Sequence, residues 1–250
     1  MQYVVLLTLA ILGLNTVSLL TVSLFNPVFI SVASEVSAMI IKGSGVVIIT
    51  GSDVDLVEGS GILKTESRQV DNFTAIDIGG AFDVEIVAQQ SPSLEISGDD
   101  NILPLVITKV RERTLFISLE KQTSISTKNK LKIKTSSSNI ENISASGGNT
   151  IKLSHVNNET LSIDQSGSGK TELSGKTKDL QIELSGSSDI NAKNLYAQKV
   201  KVKISGAANA IVYAAQELIA KISGAGKINY YGNPKNVMRN ISGVGRMKKK

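Results

Sequence analysis

A Ser-Gly pair recurs at a nearly fixed interval along the second half of the chain, at Ser146-Gly147, Ser166-Gly167, Ser185-Gly186, Ser205-Gly206, Ser223-Gly224 and Ser242-Gly243. The glycines stand 20, 19, 20, 18 and 19 residues apart. A period of this size marks units that stack on one another, because a single short unit cannot bury its own apolar face. The register around each glycine is as constrained as the period. Six, four and two residues before it come Leu161, Ile163, Gln165; Leu180, Ile182, Leu184; Val200, Val202, Ile204; Leu218, Ala220, Ile222; and Val237, Arg239, Ile241. Four and six residues after it come Ile151 and Leu153, Thr171 and Leu173, Ile190 and Ala192, Ala210 and Val212, Ile228 and Tyr230. Alternation with period two means strands with one buried face. Each repeat is therefore two short strands around a Ser-Gly corner. Glycine suits the corner because it adopts positive φ without steric cost.

Copies stacked about 4.8 Å apart pair strand over strand in parallel, and their inward columns merge into one core. The period is too short for a helical hairpin. The expected fold is all-β, a parallel β-solenoid with rungs of about 19–20 residues, right-handed by the crossover rule for parallel strands. The rungs are most regular over 144–247. The outward column three residues before each glycine is polar: Ser144, Asp164, Glu183, Lys203, Lys221 and Asn240. It reads as a solvated face in which Glu183 and Lys203 are neighbours of opposite charge.

From Ile62 to Ile133 the chain repeats a looser apolar-x-apolar pattern: Ile76-Asp77-Ile78, Val84-Glu85-Ile86, Leu94-Glu95-Ile96, Leu115-Phe116-Ile117 and Leu131-Lys132-Ile133. Turn residues separate these strands at Gly79-Gly80, Ser91-Pro92 and Gly98-Asp99-Asp100-Asn101. This half is expected to continue the solenoid with more variable rungs, giving a solenoid domain over 62–250. Residues 34–61 read as a linker or first cap.

The amino-terminal residues 1–33 are expected to be a signal peptide or membrane anchor helix. No charged residue occurs from Gln2 to Ser34, and Ser31-Val32-Ala33 offers small residues for cleavage after Ala33. The run is also long enough to span a bilayer uncut. Asn26-Pro27 interrupts it, which favours cleavage. With no Cys there is no lipobox, no disulfide framework and no thiolate metal site. A lone His155 cannot build a multi-His site.

The net charge is +5, but Arg246, Lys248, Lys249 and Lys250 supply most of it and the body is nearly neutral. No spread of cations over one face suggests phosphate-backbone binding, and aromatics are only 4% of residues. Nucleic acid is therefore not an expected partner, and no cofactor or metal is expected.

These features resemble the family described as putative auto-transporter adhesin, head GIN domain, over about Arg68 to Arg246. The residues that carry the resemblance are Phe73-Thr74-Ala75-Ile76-Asp77-Ile78, Phe82-Asp83-Val84-Glu85-Ile86, Gly98-Asp99-Asp100-Asn101-Ile102-Leu103, Ser187-Ser188-Asp189-Ile190-Asn191 and the run from Gly226 to Pro234. The resemblance implies a right-handed β-solenoid in an exported bacterial protein, adhesin-like in function. It supplies no catalytic residues. Nothing after Arg246 resembles an outer-membrane barrel.

The residues and the resemblance together lead us to expect a non-catalytic binding module of the cell envelope, in the periplasm, on the outer surface or secreted. It would present a rigid repetitive surface to a glycan or protein partner. The membrane would be engaged only through residues 1–33, if uncleaved. A polysaccharide-active enzyme is the alternative, with Asp99-Asp100 or the outward pair Asp164 and Glu183 as the nearest acids. A tethered periplasmic scaffold or sensor is a third reading. The site residues expected are structural: the corner glycines Gly147, Gly167, Gly186, Gly206, Gly224 and Gly243.

Overall fold

A computed structural model of the protein describes residues 38–42, 45–49 and 55–250. The expected signal or anchor helix, residues 1–33, lies outside the described residues. The chain divides into two units, residues 1–53 and 54–250. The described part of the first is an antiparallel hairpin of β1 (Ala38–Lys42) and β2 (Gly45–Ile49), with Lys42 opposite Gly45. Among the described residues there is no α-helix, and no helix is long and apolar enough to cross a membrane.

The second unit is an all-β solenoid. Its first ten strands are β3 (Asp55–Glu58), β4 (Leu63–Ser67), β5 (Ala75–Gly80), β6 (Asp83–Ala88), β7 (Ser93–Asp99), β8 (Val106–Arg111), β9 (Thr114–Leu119), β10 (Thr123–Ser126), β11 (Lys132–Ser137) and β12 (Asn142–Gly147). Four long strands follow, each a nearly complete rung: β13 (Thr150–Gly167), β14 (Lys170–Gly186), β15 (Asp189–Gly206) and β16 (Asn209–Gly224). The last rungs are built from β17 (Lys227–Tyr231), β18 (Asn236–Gly243) and β19 (Arg246–Lys249).

Strands β12 to β19 stack in parallel and in register, so that Gly147, Gly167, Gly186, Gly206, Gly224 and Gly243 form one ladder. All six have positive φ, between 94° and 139°. The structure adds a second demand on them. A Cβ built at Gly167 would lie 2.6 Å from the carbonyl oxygen of Gly147, and one at Gly186 would lie 2.5 Å from that of Gly167. Those same carbonyls accept hydrogen bonds from the Ser168 and Ser187 amides at 3.0 and 2.9 Å. The corner thus packs backbone on backbone, with no room for a side chain.

Around that corner the inward columns fill the core. Ile163, Ile182, Val202 and Ala220 are buried, as are Leu184, Ile204 and Ile222, and Ile151, Ile190, Ala210 and Ile228. Gln165 and Thr171 are polar yet occupy inward positions. The Thr171 hydroxyl donates to the Gln165 side-chain carbonyl at 2.9 Å, so each answers the other inside the core. In the last rung Val237 and Arg239, which share the inward spacing, are exposed. No further rung covers them among the described residues, and a guanidinium in the midst of the core would be costly.

The half before β12 departs from a simple continuation. β5 and β6 make a rung with Gly80 at its corner, directly below Gly147. The chain then descends: β9 pairs in parallel beneath β5, and β11 beneath β6. Only afterwards does β12 climb over β5. The second rung in space is thus laid down before the one below it. That lower rung is closed by antiparallel strands, β8 along β9 and β7 between β11 and β4. The first half thus contributes two further rungs of less regular make, but it ends in an antiparallel cap rather than in another rung. A two-residue turn with Glu112 and Arg113 both at positive φ reverses β8 into β9, the geometry of a tight hairpin rather than of a crossover.

The columns predict two opposite outcomes at neighbouring positions. Ile204 is fully buried, whereas Lys203 points outward and donates to Glu183 at 2.9 Å. Ile204→Asp should cost more than about 3 kcal/mol or prevent folding. Lys203→Ala should cost about 0.5 kcal/mol or less, since the pair is solvent-exposed. Denaturant melts of the two variants check this, and the reverse order of damage would mean that the columns are inverted.

Candidate functional site

The residues that solvent and partners meet are the outward columns. Along one, Asp77, Ser144, Asp164, Glu183, Lys203, Lys221 and Asn240 stand in register on successive rungs. Partial burial and the charge of Glu183 push the Asp164 carboxyl above its ordinary range, and Lys203 opposes that shift. Glu183 is held by Lys203. These acids line a shallow open groove of about 240 Å³ together with Ser144, Lys203 and the corner serines Ser166, Ser185 and Ser205. A parallel column beside the acids is made of the corner serines, all exposed.

Asp99 and Asp100, the other acids of the enzyme reading, have structural partners. Asp99 is 1% exposed, and its carboxylate accepts from the Thr127 hydroxyl and from the Asn129 amide at 2.5 Å. These bonds, the Thr127 one foremost, hold its pKa below the ordinary 3.8 although burial opposes them. Asp100 accepts from the Ser60 hydroxyl at 2.5 Å. Asn101 accepts from the Ser60 amide at 2.9 Å and donates to the Glu58 carbonyl at 2.7 Å. The Gly-Asp-Asp-Asn turn therefore straps the entering chain and the 127–129 loop onto the cap.

An open groove of about 870 Å³ runs over the cap, lined by Arg68, Asp71, Glu85, Glu95 and Lys134 among others. Its central cation is already engaged. The Arg68 guanidinium donates to Glu66, to Thr108 and to the carbonyls of Leu103 and Val106, and so ties β4 to the turn before β8. Glu95, Lys134 and Glu85 face outward on adjacent strands in alternating charge. His155 is exposed at positive φ on the second corner of β13, with its Nδ1 3.1 Å from the Ser154 hydroxyl. Among the described residues no three His, Asp or Glu side chains cluster as metal ligands.

The second corner carries a different kind of surface. Tyr196, Tyr213 and Tyr231 stand in register on three successive rungs. The first two rings are 5.3 Å apart at 34°, the one place among the described residues where two aromatic rings meet. Tyr196 is 45% exposed. Lys193 sits over the Tyr231 ring, its Nζ 4.6 Å from the centroid. Gln198 and Gln216 lie close by and touch at 3.5 Å. A local irregularity builds this patch. Between Ala192 and Tyr196 β15 has three residues that its neighbour β16 lacks. Lys193 lies within that bulge and is exposed, and the bulge shifts Tyr196 off the register of the other two tyrosines. Sequence spacing aligns Tyr213 with Tyr231, each seven residues after its corner glycine, but not Tyr196, which stands ten residues after Gly186.

The family model described as putative auto-transporter adhesin, head GIN domain, matches residues 72–234. A crystal structure of a putative adhesin from Bacteroides fragilis aligns with a TM-score of 0.65 at 24% identity, covering 78% of this chain and the whole of that one. A crystal structure of a putative lipid binding protein from Parabacteroides distasonis aligns with a TM-score of 0.52 at 21% identity, again over 78% of this chain and all of that one. Both likenesses concern the fold. No curated protein matches the sequence.

The Asp99 strap has a pH signature. Folding lowers its pKa below 3.8, so the ionised carboxylate favours the folded state above that pH, and the contribution fades as the pH falls through the folded value. Asp99→Asn should therefore melt at a lower temperature than wild type at neutral pH, and the gap should close in acid well below 3.8. Thermal melts at both pH values check it, and equal melting at neutral pH would remove the strap from the account.

Proposed function

Because the chain belongs to the family described as putative auto-transporter adhesin, head GIN domain, we propose that it is an exported, non-catalytic binding module of the cell envelope whose ligand is a glycan. The apolar amino-terminal run is the export signal in this reading. The observation that carries the ligand class is the tyrosine column at the second corner. Sugar rings present C–H faces that pack on aromatic rings, and their hydroxyls pair with amides. Tyr196 and Tyr213 supply adjoining rings, and Gln198 and Gln216 supply the amides. Successive rungs offer such groups about 4.8 Å apart, a spacing on the scale of one sugar residue. The rigid stack fixes them in place, so that little ordering is required when a chain of sugars docks.

Enzymatic cleavage of that glycan is not part of the reading. The acids nearest to such chemistry are tied to partners, as Asp99 is, or lie in the open charge column with Lys203.

The test is binding to immobilised bacterial envelope polysaccharides by wild type and by Tyr196→Ala with Tyr213→Ala. Both side chains lie at a surface corner, so the double variant should keep its fold. It should lose about tenfold or more in affinity, as expected for removing two aromatic contacts of about 0.5–1.5 kcal/mol each. A double variant that binds as tightly as wild type would overturn the proposal, as would wild type that binds none of these polysaccharides.

A further inference from the structure

The final 33 residues, 218–250, contain no Asp or Glu and eight Lys or Arg. All eight are exposed, and no ion pair among the described residues involves any of them. The register concentrates them on the last rungs. Arg239 lies above Ala220, Arg246 above Lys227, and Lys248 above Asn229. Like charges on neighbouring strands repel, so this arrangement costs the fold something. One outward column alternates in sign farther from this pole: Glu95, Lys134, Glu85, Lys152 and Glu172 follow one another across five neighbouring strands. On the last rungs no acid is present to alternate with the cations.

Apolar side chains are exposed within the same cationic pole. Val237 is 41%, Met238 53% and Val244 78% exposed. Cations alone would fit any polyanion. Cations with interspersed Val and Met fit a surface that is anionic outside and apolar just beneath, into which short apolar groups can dip. The pole does not suit a second copy of itself, because two such poles would repel.

We propose that this pole docks the solenoid on the surface of an anionic phospholipid bilayer. Lys235, Arg239, Arg246 and Lys248 lie at the headgroups, and Met238 and Val244 enter the interface. The strands of the solenoid then stack away from the membrane. This is independent of the glycan reading, which rests on the tyrosine corner.

The experiment is co-sedimentation of the full chain with phosphatidylcholine vesicles, with and without phosphatidylglycerol. The apolar amino-terminal segment is present in every arm, so the ratio of anionic to neutral binding is what is read. The ratio should exceed tenfold at about 0.05 M salt and collapse toward one at about 0.5 M, where charges are screened. Changing Lys235, Arg239, Arg246 and Lys248 to Gln should abolish it, at about fivefold per cation. Changing four cations elsewhere, Lys109, Arg111, Lys152 and Lys176, to Gln should leave most of it. Melting temperatures establish that both sets remain folded. Met238→Ser with Val244→Ser should weaken anionic-vesicle binding and leave dextran sulfate binding unchanged. A ratio near one for wild type overturns the proposal, as does equal loss from the two quadruple variants. A serine variant that binds anionic vesicles as wild type does also overturns it, since the pole would then be a general polyanion site.

Discussion

The structure depends on one backbone contact, repeated at every rung. At the Ser-Gly corner the carbonyl oxygen of one glycine accepts a hydrogen bond from the residue that follows the glycine above it. The same oxygen fills the space in which a Cβ of that upper glycine would sit. The hydrogen bond and the exclusion are two consequences of one close approach, and positive φ is the backbone conformation that permits it. A chain that keeps this contact must place successive glycines in register. Because side chains alternate along a strand, that register also fixes which residues enter the core for several positions on either side.

The two corners share the work unequally. The glycine corner admits no slack, and its ladder runs unbroken from Gly80 to Gly243. The second corner absorbs the differences in rung length, with register shifts at Leu153/Val156, Glu172/Ser174 and Ala192/Tyr196. Bulges re-aim side chains and collect at such places. It is consistent that the exposed tyrosines and Lys193 stand there, where variation does not disturb the stack.

This division also decides what could be read from the sequence. The regular rungs were legible because two periods coincide, two residues along a strand and 19–20 between rungs. Even the polar Gln165 and Thr171 fell in their inward columns, although their mutual hydrogen bond could not be inferred. Gly80 reads in the sequence only as a turn, yet Ile76 and Ile78 before it and Val84 and Ile86 after it match the register of the later corners. The period does not reach it because the next rung in space, beginning at Asn142, comes after an excursion of more than 50 residues. The antiparallel cap was illegible for a related reason: an alternating strand looks the same whichever way its partner runs. The Gly-Asp-Asp-Asn turn could be placed, but its partners Ser60, Thr127 and Asn129 are distant in sequence. Tyr213 and Tyr231 share one register in the sequence, but the bulge hides that Tyr196 joins them.

The stack thus has a fixed corner, a variable corner and a cationic pole, each presenting a different surface. All of these assignments presume the glycine contact, and substitution at the corner tests it most directly. Gly186 has φ of 97°, and a Cβ there would lie 2.5 Å from the Gly167 carbonyl. Gly148, one residue past the same corner of an earlier rung, has room, since the nearest atom to its Cβ would be the Ser168 carbonyl at 3.6 Å. Urea unfolding of Gly186→Ala and Gly148→Ala should show a loss of more than about 2 kcal/mol for the first and less than about 0.5 kcal/mol for the second. Equal stability of the two variants would contradict the account, because the corner would then tolerate the side chain that the stacked carbonyls are said to exclude.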